Sequence, residues 1–251
     1  QFAIIQGLFG SYAATGTGPV TAPQTNMRSV SMLWQNVEQF VVANQYAKTG
    51  TAADLVAMKG MTMGFGKQNS GTIGSNRVLL KGLGLDMAKD FKLMHGGYGP
   101  TADALANGQV AGIGAPSGPP TGAITKLMAS NAAKFTMLTV TPDEAKKMDG
   151  GRNLWVPYTI KAGTYPGQTK DLLTIAQPNF LAVNADVSEE HVYLLTKAIY
   201  ENLPFLQAIH KATKAMNVQA ATAGLPVPLH PGAARYYKEV GVDIPAHLMA
   251  K

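Results

Sequence analysis

Short apolar runs alternate with glycine-rich loops and helix-forming stretches along most of this chain. Residues 61–66 form a strand-like run that leads into residues 69–72 and an apolar helical face, and residues 110–115 lead in a similar way into a helix over 122–130. Repeated strand–loop–helix units of this length predict an α/β fold with a mostly parallel sheet and helices on its faces.

Further strands are predicted at both ends of the chain. Residues 28–33 and 40–43 are extended near the start, and residues 172–176 and 179–183 are extended near the end. Residues 1–6 are predicted to be a buried strand that starts without a methionine or a signal sequence. Because chains seldom begin inside a core strand, we expect a preceding segment to be missing.

Three helix starts carry capping signals. Thr101 is predicted to cap a helical turn, and Thr141 precedes a proline and two acidic residues, which is typical of a first turn. Ser188 is predicted to cap a helix whose first turn carries Glu189 and Glu190. These acids complement the positive end of the helix dipole.

The composition is that of a folded, loop-rich chain. Of 251 residues, 46% are hydrophobic and only 14% are Asp, Glu, Lys or Arg, while glycine (27) and proline (15) are plentiful. These values exclude a disordered chain and disfavour a charged helical bundle. Because cysteine is absent, disulfides, Cys-based metal sites and a thiol nucleophile are excluded.

The net charge of +6 is spread along the sequence, with arginine only at Arg28, Arg77, Arg152 and Arg235. A nucleic-acid binder clusters its Lys and Arg residues along a stripe, so we expect no nucleic-acid partner. A modest positive field also helps to collect a small anion. No apolar run reaches the roughly 18 residues that a membrane span needs.

Asn69, Ser70, Gly71 and Thr72 follow a predicted strand and open a helix. Free backbone N–H groups, two hydroxyls and the helix dipole suit a carboxylate or a phosphate. The alternative is that Ser70 or Thr72 only caps the helix. The motif is not a Walker loop, because no Gly-x4-Gly-Lys-Ser/Thr sequence occurs.

Nucleotide and metal sites have little support in the sequence. Two Gly-x-Gly segments, at residues 64–66 and 112–114, lack the third glycine of a dinucleotide fingerprint. The five histidines show no metal-binding spacing, and these are His95, His191, His210, His230 and His247. We therefore expect no cofactor and no metal.

Five aromatic residues and Ser117 complete the set of candidates. Trp34, Tyr98, Trp155, Tyr158 and Tyr165 lie in or beside loops, where they either pack or form the wall of a ligand cleft. A serine-based catalytic triad is not excluded, although no Gly-x-Ser-x-Gly elbow is present.

Two late segments resemble a known family. Residues 160–168 read Ile-Lys-Ala-Gly-Thr-Tyr-Pro-Gly-Gln, and residues 225–237 read Leu-Pro-Val-Pro-Leu-His-Pro-Gly-Ala-Ala-Arg-Tyr-Tyr. Both resemble signatures of the TAXI solute receptors of TRAP transporters, with Lys161 in place of the usual proline. The resemblance extends to residues 69–72, to residues 120–124 and to the predicted helix over residues 192–203, so it covers essentially the whole chain.

The resemblance implies a two-lobed periplasmic-binding-protein fold of the class II type, with lobes joined by crossing strands. It places residues 1–43 and 172–251 in the first lobe and residues 44–171 in the second. It also implies that an N-terminal βαβ segment of roughly sixty residues, including a ligand-holding tyrosine, is missing.

The resemblance further implies a receptor for glutamate, 2-oxoglutarate or a similar small carboxylate, which closes on its ligand and delivers it to a TRAP membrane permease. No catalytic residue is implied. Gln6 is expected to point into the cleft, and Trp34-Gln35-Asn36 replaces the Tyr-Pro-Glu of the family. The expected ligand-binding residues are Gln6, Trp34, Asn36, Asn69, Ser70, Thr72, Ser117, Thr121 and Tyr165.

Three functional hypotheses follow. The leading one is a monomeric periplasmic solute receptor without enzymatic activity. The second is a hydrolase or transferase that uses Ser70 or Ser117 as its nucleophile, which requires a base within hydrogen-bond reach. The third is a surface antigen that does not bind a ligand. His230 and Arg235, in the last signature, are predicted to be structural.

Overall fold

The computed structural model describes residues 1–209 and 211–249, so the prediction for His210 lies outside the described residues. Within these ranges the chain forms nine strands and nine α-helices, joined by loops and short 3-10 turns. In chain order they are β1 (Phe2–Gln6), α1 (Gly7–Thr15), β2 (Met27–Val37), β3 (Phe40–Ala43), β4 (Thr62–Gly64), α2 (Gly71–Gly82), α3 (Met87–Asp90), β5 (Lys92–Leu93), α4 (Tyr98–Ala106), β6 (Gly112–Gly114), α5 (Gly122–Asn131), β7 (Phe135–Met137), α6 (Pro142–Asp149), β8 (Val156–Ile160), β9 (Leu172–Asn184), α7 (Glu189–Glu201), α8 (Leu203–Ile209) and α9 (Pro231–Glu239).

The chain divides into two compact units. The first unit comprises Gln1–Asn36 and Gln177–Lys251, and the second unit comprises Val37–Ala176. The chain passes from one unit to the other within strands β2 and β9. The predicted α/β class, in two units joined by crossing strands, is therefore confirmed. The unit boundaries fall after residues 36 and 176, whereas the sequence predicted them after 43 and 171.

The second unit contains a five-stranded sheet in the order β5-β4-β6-β3-β7. Strands β5, β4 and β6 run parallel to one another. Strand β3 runs antiparallel to both β6 and β7. Four of the five strands thus share one direction, but β3 is antiparallel to both of its neighbours and the sheet is mixed. The predicted mostly parallel arrangement is wrong for the other sheet, where β9 pairs antiparallel with both β1 and β8.

Local capping signals define several helices of the second unit. The Ser70 hydroxyl accepts a hydrogen bond from Ile73 N at 3.3 Å and caps α2. Thr141 and Glu144 form a capping box at the start of α6. Thr101 was predicted to be a cap, and this is wrong. Helix α4 begins three residues earlier, and the Thr101 hydroxyl donates to Gly97 O at 2.9 Å inside the helix.

Glu144 should stabilise the second unit only above acidic pH. Its carboxylate is buried and accepts hydrogen bonds from Thr51 Oγ1 (2.6 Å), Ala53 N (2.7 Å) and Thr141 N (2.7 Å). Burial alone would raise the pKa of Glu144, but these hydrogen bonds lower it overall. A carboxyl whose folded pKa is lowered contributes stability above its unfolded pKa, and that stability is lost as pH falls through the folded value.

We therefore expect Glu144→Gln to lower the free energy of unfolding by about 1–2 kcal/mol at pH 7. The deficit should shrink as the pH falls below about 4. Urea denaturation at several pH values measures it, with the exposed Asp143→Asn as the control. A deficit that is unchanged at acidic pH would contradict this account.

The first unit is built on strands β1, β9 and β2, in that order. β1 pairs antiparallel with β9, from Phe2 opposite Val183 to Gln6 opposite Asn179. The sequence predicted β1 to be buried, and this is wrong, because its first three residues are exposed and its last two are half-buried. Phe2 is 42% exposed and Ile4 is 59% exposed, because β1 is an edge strand and both side chains lie on the same face of it.

Helices α7 and α9 pack closely in the first unit. A Cβ atom added at Gly232 in α9 would lie 2.2 Å from Glu189 O and 2.7 Å from Tyr193 N of α7. Arg235 lies over the Tyr193 ring at 4.0 Å and contacts Glu190 at 2.8 Å. Only glycine therefore allows the backbones to approach this closely.

The last signature has structural roles in the first unit. His230 caps α9, because its Nδ1 accepts a hydrogen bond from Gly232 N at 3.2 Å, and its own N–H donates to Ser29 O at 2.8 Å. His230 and Arg235 are thus used for packing and capping, as predicted. Among the described residues, no helix has the length and apolar character that a membrane crossing requires.

Candidate functional site

The parallel strands of the second unit end at one edge of its sheet, and each is followed by a helix. β4 leads to α2, β5 leads to α4 and β6 leads to α5. β3 runs in the opposite direction, so the residues before Phe40 lie at this same edge. We call this the carboxyl edge of the second unit. In α/β proteins, ligands bind outside the carboxyl ends of the parallel strands, where helix N-termini supply N–H donors.

The start of α2 carries three of the predicted site residues. The Ser70 hydroxyl makes two local hydrogen bonds. It donates to Lys67 O at 2.7 Å and accepts from Ile73 N, which caps the helix. Asn69, which is exposed, has a φ of 58°, a left-handed conformation that asparagine tolerates. Ser70 is therefore the cap of α2, and a ligand contact for Ser70 stays a prediction.

Thr72 joins α2 to the other loops of the carboxyl edge. Its hydroxyl and the Tyr98 hydroxyl are 2.9 Å apart, and the Tyr98 hydroxyl donates to Pro116 O in the loop before α5. Burial raises the pKa of Tyr98, and the hydrogen bond with Thr72 offsets this in part. The phenol therefore stays neutral and remains a hydrogen-bond donor at physiological pH.

Gln39 organises the loop before α5. It is 1% exposed, and its Nε2 lies 3.1 Å from both Ser117 Oγ and Thr121 Oγ1. The two hydroxyls are 2.5 Å from each other. Thr121 N donates to the Tyr165 hydroxyl at 2.8 Å, and that hydroxyl donates to Gln39 Oε1. Four side chains from three parts of the chain thus form one network.

Tyr165 lies inside this network and not on the surface. It is 2% exposed, and burial raises its pKa, with the hydrogen bonds to Thr121 partly offsetting the rise. Its hydroxyl both accepts from Thr121 N and donates to Gln39. The structure gives Tyr165 a positioning role, and a direct ligand contact stays a prediction.

Glu38, the acidic residue at the carboxyl edge, is held by contacts within the second unit. Glu38 is buried, and its Oε1 accepts from Trp155 Nε1 at 2.8 Å and lies 3.4 Å from Ser75 Oγ. Its backbone accepts from Thr174 Oγ1 at 2.7 Å. These contacts hold the first residues of the second unit against Ser75, Trp155 and the part of β9 that belongs to the same unit.

The predicted site residues of the first unit lie on two strands. Gln6 ends β1 opposite Asn179, and Trp34 and Asn36 lie in β2. Asn36 is 3% exposed, and its Nδ2 has no hydrogen-bond partner among the described residues. Buried amide groups normally have a partner. A ligand contact for Gln6, Trp34 and Asn36 stays a prediction.

Sequence reasoning missed the centre of the network. Ser117, Thr121 and Tyr165 were predicted from the family resemblance, and the structure brings them together. Gln39 was not predicted, although it connects all three. Its partners are 76 to 126 residues away in sequence, so no local pattern signals its role. Tyr98 and Trp155 were noted only as aromatic residues beside loops.

Several solved structures are remotely similar to this chain. A protein of Bordetella bronchiseptica RB50 matches with 14% identity and a TM-score of 0.48, over 95% of this chain and 64% of that one. The periplasmic aliphatic sulphonate binding protein SsuA from Escherichia coli matches with 12% identity and a TM-score of 0.40, over 84% and 53%. A TctC solute binding protein from Polaromonas matches with 14% identity and a TM-score of 0.46, over 96% and 77%.

The chain thus spans less than two thirds of the first two of these proteins. A protein-family model gives a more direct assignment, because it matches almost the entire sequence. The model is that of the NMT1-like family, and it covers residues 1–241. This chain belongs to the NMT1-like family.

Proposed function

We propose that this chain is the ligand-binding part of an extracytoplasmic solute receptor. Its ligand is a small carboxylate such as glutamate, 2-oxoglutarate or a similar dicarboxylate. The receptor acts in the periplasm as a monomer and delivers the ligand to a TRAP-type membrane permease. The resemblance of residues 160–168 and 225–237 to TAXI receptors supports the TRAP assignment.

The observation that carries the proposal is the set of donors at the carboxyl edge of the second unit. Helices α4 and α5 begin without a side-chain cap, so their first-turn N–H groups remain available to water or a ligand. The hydroxyls of Thr72, Ser117 and Thr121 lie at the same edge. An anion binds at such an edge without a dedicated arginine.

The hydrolase alternative has less support. Ser70 contacts Lys67 O and Ile73 N, and Ser117 contacts Gln39, Thr121 and a backbone carbonyl. A serine nucleophile needs an adjacent base to remove its proton. In the part of the chain that the structure describes, neither serine hydroxyl hydrogen-bonds to the side chain of a histidine, a lysine or an acidic residue.

The binding test uses the whole chain and a panel of small acids. We expect a dicarboxylate to raise the melting temperature, because a ligand that binds only the folded state stabilises it by mass action. Thr121→Val and Ser117→Ala should each weaken binding by about tenfold, which corresponds to one hydrogen bond to a charged group. Isothermal titration calorimetry measures the affinities.

Ser130→Ala is the matched control, because Ser130 lies at the opposite end of α5 and bonds only to Leu127 O among the described contacts. It should leave the affinity unchanged. If no member of the panel stabilises the folded chain, the proposed ligand class is wrong and the surface-antigen hypothesis gains support. Covalent labelling of Ser70 or Ser117 by a serine-directed probe would instead favour the hydrolase.

A further inference from the structure

The hydrogen-bond network around Gln39 has a fixed direction. The amide group lies between Tyr165 on one side and the hydroxyls of Ser117 and Thr121 on the other. Gln39 immediately precedes β3, and its side chain is 1% exposed. The side-chain oxygen and nitrogen of glutamine are distinguished by the network around them, and here the backbone decides which way the amide faces.

The deciding group is the N–H of Thr121. A backbone N–H can only donate, so the Tyr165 oxygen must accept from Thr121 N at 2.8 Å. The single proton of the Tyr165 hydroxyl is then directed to Gln39, and only the amide oxygen can accept it. The amide nitrogen is therefore turned toward Ser117 and Thr121.

The polarity of the hydroxyl pair follows from this orientation. Gln39 Nε2 has two protons, and the oxygens facing it are Ser117 Oγ and Thr121 Oγ1 at 3.1 Å, Ser117 O at 3.2 Å and Ala115 O at 3.3 Å. All four are acceptors toward the amide. The two hydroxyls consequently keep their own protons. One proton is used in their mutual bond of 2.5 Å.

The second hydroxyl proton has two alternative destinations. In this structure Ser117 donates it to Ala115 O at 3.0 Å, so Thr121 donates in the mutual bond. If Ser117 instead donated to Thr121, the Thr121 proton would be available to an acceptor outside the pair. The Thr121 oxygen still accepts from Gln39 Nε2 at 3.1 Å in that arrangement.

We propose that Gln39 is a specificity-determining residue that turns the Ser117–Thr121 pair into a hydrogen-bond donor. The pair then favours a ligand group that only accepts hydrogen bonds, such as a carboxylate oxygen, over an amide N–H. This inference rests on the proposed function, because it assumes that the ligand binds at the carboxyl edge. Gln39 acts through the two hydroxyls and does not touch the ligand.

The test compares two ligands of the same shape, glutarate and its neutral diamide, glutaramide. Gln39→Glu keeps the size of the side chain but replaces the donor with an acceptor, so one hydroxyl must turn its proton inward. We expect glutarate binding to weaken by about 30-fold and glutaramide binding to become several-fold tighter. Calorimetric titration of the whole chain gives both affinities.

Tyr165→Phe provides the second variant. It removes the proton that orients the amide and also the oxygen that accepts from Thr121 N, while leaving Gln39 and both hydroxyls in place. We expect the ratio of the glutarate and glutaramide affinities to fall by about tenfold, because the amide is then no longer held in one orientation. Circular dichroism and the melting temperature verify that each variant is folded.

The results separate the two proposals. A wild-type chain that binds no carboxylate of the panel overturns both the proposed function and this inference. If wild type binds glutarate but Gln39→Glu weakens both ligands equally, or weakens glutarate alone, Gln39 contributes only structure or charge and the inference is wrong. If Gln39→Glu does not fold, the affinity ratio of Tyr165→Phe decides, and an unchanged ratio overturns the inference.

Discussion

Gly232→Ala is expected to destabilise the first unit by about 3 kcal/mol. The added methyl group would lie 2.2 Å from Glu189 O and 2.7 Å from Tyr193 N, which is shorter than any non-bonded carbon contact. These atoms belong to the backbone of α7, so no rotamer change relieves the overlap. The two helices must move apart, and the contact of Arg235 with Glu190 and the Tyr193 ring is then disturbed.

The control is the same substitution where space is open. Gly99 lies in α4, and a Cβ atom there would have no neighbour within 4 Å. Gly99→Ala should therefore stabilise the chain by up to about 1 kcal/mol, because alanine favours a helix more than glycine does. Urea denaturation measures both free energies of unfolding. Equal effects for the two variants would show that close packing of α7 and α9 does not limit residue 232.

Asn76→Leu is expected to destabilise the second unit by about 3 kcal/mol. Asn76 is fully buried, and its Nδ2 donates to Phe65 O at 3.0 Å and to Gly114 O at 3.1 Å. These carbonyls follow β4 and end β6, so one side chain connects two neighbouring parallel strands. Leucine has a similar volume, but it leaves both carbonyls without this donor.

The same variant should weaken binding of the dicarboxylate, because both strands end at the carboxyl edge from which α2 and α5 begin. A loss of about tenfold corresponds to 1.4 kcal/mol of binding free energy. Thermal unfolding and calorimetric titration measure the two effects. Arg77→Ala, at the exposed neighbouring position of α2, is the control. It should change neither the free energy of unfolding nor the free energy of binding by more than about 0.5 kcal/mol. An unaltered melting temperature for Asn76→Leu would refute the role of the connection.

Elements with local signals were predictable from the sequence. The caps at Ser70, Thr141 and Ser188 depend on bonds to residues three positions later, and the sequence alone identified them. Thr101 is also a residue type that caps helices, but it lies inside α4, which begins at Tyr98 after Gly97 and has no side-chain cap. The predicted burial of Phe2 and Ile4 was wrong. Burial depends on which elements cover β1, and the sequence of β1 does not contain that information.

Candidate site residues were predicted only where a helix start marked them or where the family signature reached them. Asn69 and Thr72 lie at the start of α2, and a ligand contact for either residue stays a prediction. Gln39 did not, because its role is defined by residues that only the folded sheet brings to it. A single glutamine before an apolar run belongs to no sequence motif that predicts a function. The direction of its amide depends on a tyrosine 126 positions away.

The passage of the chain through β2 and β9 has a consequence for biosynthesis. The second unit is one continuous segment, Val37–Ala176, so all of its strands can emerge from the ribosome and pair before the first unit is complete. β1 pairs with β9, whose matching residues are 179–183. We therefore expect the second unit to fold first, while β1 stays unpaired during about 175 residues of later synthesis, or roughly 10–35 s at about 5–20 residues per second.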